Sequence, residues 1–476
     1  MSHKPSKKQW KNHQKLIEIS AVGHVIQGAV NTILAPEAAR RLICKKPTGV
    51  MQDHSTFSRR DFLSATSAAA VTAPAILSHL SQSSAAEQGT LRVGLIGCGG
   101  RGTGAAANAM KADKNVKLVA MADAFADRLN VSLETLKKEV GEKLEVPEEN
   151  RFVGFDAYKE VIKRSDVVLL TTPPHFRPMH IKAAVEAGKH IFAEKPCAVD
   201  APGVRSVLEV CEAARKKNLS VVSGLCLRYH GPYREIMKQV HAGAIGKIHT
   251  MQANDFRGPI WVKPRQPGWT DMEYHMRNWY YFTWLSGDFN VEQHVHMLDL
   301  CSWAMKDEYP VSAVGTGGRQ VRTGPEYGNI YDHHSVIYEY ADGVKLFASC
   351  RQQAGCSGDI SATIVGSKGS AYFSSRGSYI LTDKREPFAG ESDNMYQVEH
   401  NELFAGLRSG EVLNNGDYMA KSSLLAILGR MATYTGQKIT WEQAMNSAED
   451  LTPSSYDWNG TPPPSEIAIP GMTKLV

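Results

Sequence analysis

From residue 91 onward, short apolar runs alternate with longer stretches of helical pattern. Residues 91–97 (LRVGLIG), 116–123 (VKLVAMAD), 166–170 (DVVLL), 190–194 (HIFAE) and 220–225 (SVVSGL) have the length and aliphatic content of buried strands. Residues 103–110, 179–189 (MHIKAAVEAGK) and 203–217 read as the helices between them. Strands and helices in this order predict an α/β domain with a parallel, doubly wound sheet, whose ligands lie at the carboxyl ends of the strands. Past residue 245 the runs become β-rich: KIHTMQANDF, SAVGTGG and SVIYEYADGVKLFASCRQQ, with Asp342-Gly343 as a hairpin turn. A further pair, SATIVGSKGSAYF, turns between Gly366 and Gly369. A chain of 476 residues exceeds one core. The change of pattern divides it into an extension over 1–86, a first domain over 87–225 and a second over 226–476.

The extension has a pattern of its own. Ser58-Arg59-Arg60-Asp61-Phe62-Leu63 resembles the twin-arginine export signal, S-R-R-x-F-L, at its fixed positions. The alanine-rich run that follows is interrupted by Ser, Thr and Pro74, which makes it too weak for a stable membrane span. Ser84-Ala85-Ala86 offers a small-x-small cleavage site. An export signal belongs at an N-terminus, so Met51 is the expected start, and residues 1–86 are expected to stay outside the fold. The address this implies is the periplasm, the cytoplasm being the alternative.

Charge changes the picture only by its distribution. Residues 1–86 carry 11 Lys and Arg against 4 Asp and Glu, so the total of +5 leaves the rest of the chain at −2. The basic balance therefore belongs to the leader, and it argues against a nucleic-acid partner. The 8 cysteines form no C-x-x-C pair, which argues against a zinc or iron–sulfur site and against a disulfide scaffold.

Candidate chemistry begins at Gly97-Cys98-Gly99-Gly100-Arg101-Gly102, directly after the first strand. Glycines there let the backbone approach a pyrophosphate, and the helix that follows supplies N–H groups and a positive dipole. Asp123 ends the second strand, 21 residues beyond Gly102, where its carboxylate suits ribose hydroxyls and repels a 2′-phosphate. The expected cofactor is NAD, with NADP possible through Arg101 or Arg128. Thr172, Pro173, His175, Glu194 and Lys195 fall at later strand ends and complete one rim.

AGKHIFAEKP (residues 187–196), preceded by Thr172 to His180, resembles the glucose–fructose oxidoreductase and inositol dehydrogenase (Gfo/Idh/MocA) family. Arg228-Tyr229, GAIGKI (243–248), GDFNVEQHVHMLDLCSW (287–303), EHNELFAGLRSGE and LGRMATYTGQKITW extend the resemblance over about residues 91–445, toward a leader-bearing branch. It implies a Rossmann domain followed by an α/β domain with an open, largely antiparallel sheet. It also implies an NAD(P)-dependent oxidoreductase whose substrate, a sugar, cyclitol or derivative, lies between the domains. The family's catalytic lysine and histidine map to Lys195 and His296, the latter as general base.

Spacing places Glu292, His296 and Asp299 at i, i+4 and i+7, one stripe of a helix. Asp299 is then a candidate to orient His296 or to bind a sugar hydroxyl, while many relatives carry Asp where this chain has Glu292. A core role for His296 is the plain alternative. His294-x-His296 makes half a metal site at most, because alternate helical residues diverge, and no metal is expected. His333-His334 on a strand point to opposite faces and read as surface or interface residues. Arg228, Tyr229, Trp261, Arg277 and Trp279 are the substrate-side candidates, aromatic platforms beside charged donors.

An exported dehydrogenase with dissociable NAD would stop after one turnover, so the expected enzyme keeps its cofactor bound. It then closes the redox cycle by oxidising one sugar while reducing another. In the alternative, an NAD-dependent glycosidase, oxidation permits elimination and the hydride returns to the same molecule. A non-catalytic sugar- or nucleotide-binding protein is a third reading. An exposed face of the second sheet predicts a homo-oligomer.

Overall fold

The computed structural model describes residues 89–388 and 393–476, all within one compact unit. The leader, its cleavage site and the Met51 start lie outside the described residues.

The first domain is built on β1 (Leu91–Ile96), α1 (Gly100–Ala112), β2 (Val116–Asp123), α2 (Ala126–Val140), β3 (Arg151–Val153), α3 (Ala157–Arg164), β4 (Val167–Leu170), α4 (Arg177–Glu186), β5 (His190–Ala193), α5 (Ala201–Lys216) and β6 (Val221–Ser223). Its six strands run parallel in the order β3-β2-β1-β4-β5-β6. That is the doubly wound Rossmann order, and the reversal between β1 and β4 opens a crevice at the carboxyl ends. Every residue of β4 is buried, because helices cover both faces of the sheet.

The chain then continues through α6 (Gly231–His241), β7 (Ile248–Arg257), α7 (Asp271–Arg277), α8 (Thr283–Ser286), α9 (Phe289–Glu292), α10 (Val295–Ala304), β8 (Ser312–Gly318), β9 (His333–Glu339), β10 (Lys345–Gln352), β11 (Asp359–Gly366), β12 (Gly369–Ser374), β13 (Tyr379–Leu381) and β14 (Arg385–Pro387). It closes with α11 (Met395–Ser409), α12 (Gly416–Thr435), β15 (Ile439–Thr440) and α13 (Trp441–Asn446). The nine strands are ordered β14-β13-β12-β11-β7-β10-β9-β8-β15. Pairing is antiparallel except between β7 and β10, which run parallel.

Burial alternates along β10, so one face of this sheet packs inward and the other faces out. The inner face sends Ala253, Tyr338, Leu346, Ala362 and Phe373 into the core shared with α10 and α12. On the outer face Val314, Ile337 and Phe347 stand exposed in register on three neighbouring strands. His333 and His334 do point to opposite faces, but His334 is not a surface residue. It is buried, with its Nδ1 2.9 Å from the Thr433 hydroxyl and its Nε2 3.3 Å from Asp288.

Candidate active site

At the carboxyl edge of the first sheet lies a cavity of ≈ 580 Å³, inside the range typical of small-molecule sites. The glycine loop forms its floor. Gly97 has φ +98, a region that favours glycine, and a Cβ on Gly102 would stand 1.9 Å from the Gly97 carbonyl oxygen. Gly99 and Gly100 instead face open space, where a Cβ would meet nothing within 4 Å. α1 starts there with no side-chain cap and no acidic residue in its first turn, so its N–H groups and dipole are directed at the cavity. Asp123 is fixed by two backbone donors, Cys98 N at 2.6 Å and Phe125 N at 2.9 Å, while burial pushes its carboxyl up. This arrangement fits a dinucleotide: an open backbone cradle for the pyrophosphate and an anchored carboxylate for the ribose.

Thr172, Pro173 and Arg128 line this cavity, together with Phe155 and Tyr158, which no sequence motif marks, and His180, which closes the family stretch begun at Thr172. The other expected cofactor residues, His175, Arg101, Glu194 and Lys195, are placed differently. His175 is buried outside the cavity wall, with Nε2 2.8 Å from the Tyr456 hydroxyl and its ring edge-on to Trp284. Arg101 reaches the rim, but its guanidinium is held by Glu194 and by Glu399 at 2.9 Å, so it is not free for a 2′-phosphate. Burial pushes the Glu194 carboxyl up, yet Arg101 overcomes that and holds it below the usual range. Glu399 is raised by its own burial and by Glu194. Gly224 makes room for Glu194, since a Cβ there would lie 2.8 Å from its Oε2.

Lys195 follows Glu194 directly. Its ammonium donates to the Glu292 carboxylate at 2.9 Å and to the Glu292 backbone oxygen at 2.6 Å. The expected single helical stripe from Glu292 to Asp299 is broken, because α9 ends at Glu292 and α10 begins at Val295. Asp288, at φ +78, turns the chain into α9, and its carboxylate accepts from Tyr331 N at 3.0 Å and the Tyr434 hydroxyl at 2.6 Å. Glu292 Oε2 and His296 Nδ1 are buried without a hydrogen bond among the described residues. Burial keeps the His296 imidazole neutral, reinforced by the positive charges of Lys195, Arg257 and Arg101. Arg257 is paired with Asp255 at the end of β7, and the Tyr280 hydroxyl near Glu292 accepts from Gln352 at 2.7 Å. Arg257, Asp255 and Tyr280 carry no sequence motif, so only the fold brings them to this cluster.

Asp299 does not serve His296. Its oxygens accept from Arg228 at 2.8–3.1 Å and from the Ser422 hydroxyl at 2.8 Å. Arg228 is thereby removed from the substrate side; it is buried between Asp299 and Asp307, with its guanidinium 3.9 Å from the centre of the Tyr418 ring. Tyr229 is also buried, donating to Asn415 at 2.9 Å. Trp261, Arg277 and Trp279, expected beside the substrate, line the nucleotide cavity instead. Arg277 bridges the domains to Asp127 at 3.1 Å. The segment between β7 and α7 was legible as aromatic and basic, but which ligand it faces depends on how it folds back. His294 is buried with Nδ1 3.1 Å from Asn290, and no group of His, Cys, Asp or Glu among the described residues has the geometry to hold a metal ion.

A glycine cradle at the sheet's switch point, joined to a lysine–carboxylate pair beside a neutral histidine, defines an NAD-binding oxidoreductase. The chain belongs to the GFO/IDH/MocA family: residues 91–225 match its oxidoreductase, NAD-binding Rossmann-fold model, and residues 233–372 match its C-terminal domain. It is 25% identical over 341 residues to inositol 2-dehydrogenase of Serratia proteamaculans, covering 67% of this chain and 88% of that protein. An inositol 2-dehydrogenase of Cereibacter sphaeroides is 28% identical over 290 residues, 59% of this chain and 73% of its own. Among solved structures, aldose–aldose oxidoreductase from Caulobacter crescentus, complexed with glycerol, superposes with a TM-score of 0.59. That match has 18% identity and covers 74% of this chain and 99% of the other, a likeness of fold.

Proposed function

We propose that the protein oxidises a secondary alcohol of a sugar, cyclitol or derivative, with Lys195 and His296 handling the proton. The observation that carries this reading is the pairing of Lys195 with Glu292 at 2.9 Å beside a neutral His296 whose Nδ1 has no partner. NAD, when bound, supplies the hydride acceptor. Lys195 stabilises negative charge developing on the alcohol oxygen, and the neutral imidazole is free to take its proton. Glu292 fixes the ammonium and leaves one oxygen for a substrate hydroxyl. The inositol 2-dehydrogenase relatives support a cyclitol or sugar as substrate.

The twin-arginine motif supports export to the periplasm, and with it a cofactor that stays bound through many turnovers. The exposed row Val314, Ile337 and Phe347 supports a homo-oligomer through the outer face of the nine-stranded sheet. The test uses purified protein with no added cofactor, given inositols, aldoses and glycosides singly and in pairs. Oxidation of one polyol coupled to reduction of another is the expected result. Cleavage of a glycoside without net reduced cofactor would replace this reading with a hydrolase, and inertness toward every polyol after NAD is supplied would overturn it.

A further inference from the structure

The nucleotide cavity has a wall that does not come from the nucleotide domain. Trp261, Lys263, Met276, Arg277 and Trp279 all belong to the segment that leaves β7, passes through α7 and continues just beyond it. A second cavity adjoins the first and shares Gly100, Arg128, Lys263 and Arg277 with it, adding Thr103 and Gly104 of the first turns of α1. Lys263 therefore stands where the second domain faces the uncapped N-terminus of α1.

Charges of both signs line the two cavities, Asp123 in the first and Asp127 and Glu139 in the second. Arg277 is compensated by Asp127 and by Glu273 at 2.8 Å. Arg128 is attracted to Asp123 and Asp127, whereas the exposed Lys263 ammonium has no ion pair or side-chain hydrogen bond among the described residues. The backbone of Lys263 is nonetheless fixed, since its N–H donates to Asn278 Oδ1 at 2.9 Å. The segment is tied down further along, where the Thr270 hydroxyl donates to the Trp458 carbonyl at 2.5 Å. An unpaired ammonium opposite a free helix N-terminus suits an anion, and the pyrophosphate of a bound dinucleotide would lie at that terminus.

We propose that Lys263 is a pyrophosphate ligand supplied by the second domain, which makes the segment from β7 to α7 a latch on the bound cofactor. Release of the dinucleotide then requires the second domain's segment to let go, so retention is a property of both domains together. The proposal rests on the NAD-binding assignment and deepens the reading of a permanently held cofactor, but needs no knowledge of the sugar.

The test measures binding of ADP-ribose and of adenosine to cofactor-stripped full-length protein, wild type against Lys263→Ala and Lys263→Arg, with Lys247→Ala as a surface control. Loss of a charge-assisted contact should weaken ADP-ribose by ~10-fold or more in Lys263→Ala, leave adenosine unchanged, and be largely restored in Lys263→Arg. Dissociation of NAD should quicken in parallel, and its salt dependence should flatten. Unchanged ADP-ribose affinity, or an equal loss for adenosine, would overturn the proposal. Because the readout is binding, failure of the sugar-oxidation reading would leave this result standing, and the reverse.

Discussion

Two charged clusters flank the break between α9 and α10, and they are built to opposite ends. Around Asp299, both carboxylate oxygens, the Arg228 guanidinium, Asp307 and Ser422 are joined by hydrogen bonds. Around Glu292, one oxygen holds Lys195 while the other has no partner, and neither has His296 Nδ1. A saturated buried network anchors the fold; an unsaturated one of the same residue types costs stability and is kept where a ligand completes it. Charge alone does not distinguish the two, but the state of their polar atoms does.

Two substitutions separate the clusters, and the larger effect is expected at His296. His296→Gln should lower kcat by ~10²–10⁴ with little change in melting temperature, because the amide fills most of the ring's space without its basicity. Steady-state turnover beside thermal unfolding checks both halves, and a loss under 10-fold would place the base elsewhere. Asp299→Ala should do the reverse. It strands Arg228 with Asp307 alone, a loss of ~3–5 kcal/mol by denaturant unfolding, with turnover per folded molecule preserved. A kcat defect at full stability would instead return Asp299 to the catalytic group.

Mild acid acts elsewhere, with an effect that is small near neutrality and grows as the pH falls. Burial lowers His175 and His400 to about 4, and His180 and His294 to about 3. Unfolded histidines near 6.5 bind protons that these folded ones refuse, so stability is complete above that pH and declines as it falls toward 4. Melting temperature across that range is the check, and a flat profile would mean that these rings find partners on protonation.

Much of this was legible in the sequence. The five expected strands of the first sheet appear as β1, β2, β4, β5 and β6, because strands buried on both faces read as apolar runs. The three-residue strand β3 gave no run to read, and Phe155 beside it was missed with it. Residue spacing brought Glu292, His296 and Asp299 to one region but could not tell that Gln293 and His294 interrupt the helix. Nor could it tell that Arg228, 71 positions earlier in the chain, takes up Asp299. His175 and Trp261 have side chains typical of binding sites, yet their actual neighbours are set by the tail at Tyr456 and the fold-back after β7. Those are tertiary facts, with no periodicity to announce them.

The proposed role of His296 is that of a neutral ring, kept so beside Lys195, that accepts the proton. It is tested most directly by the pH dependence of cofactor reduction in a single turnover, wild type against Lys195→Met. An acid limb is expected in the wild type below the ordinary histidine value of 6.5, moving upward in Lys195→Met as a neighbouring positive charge is removed. A limb at or above 6.5 that does not move would contradict it.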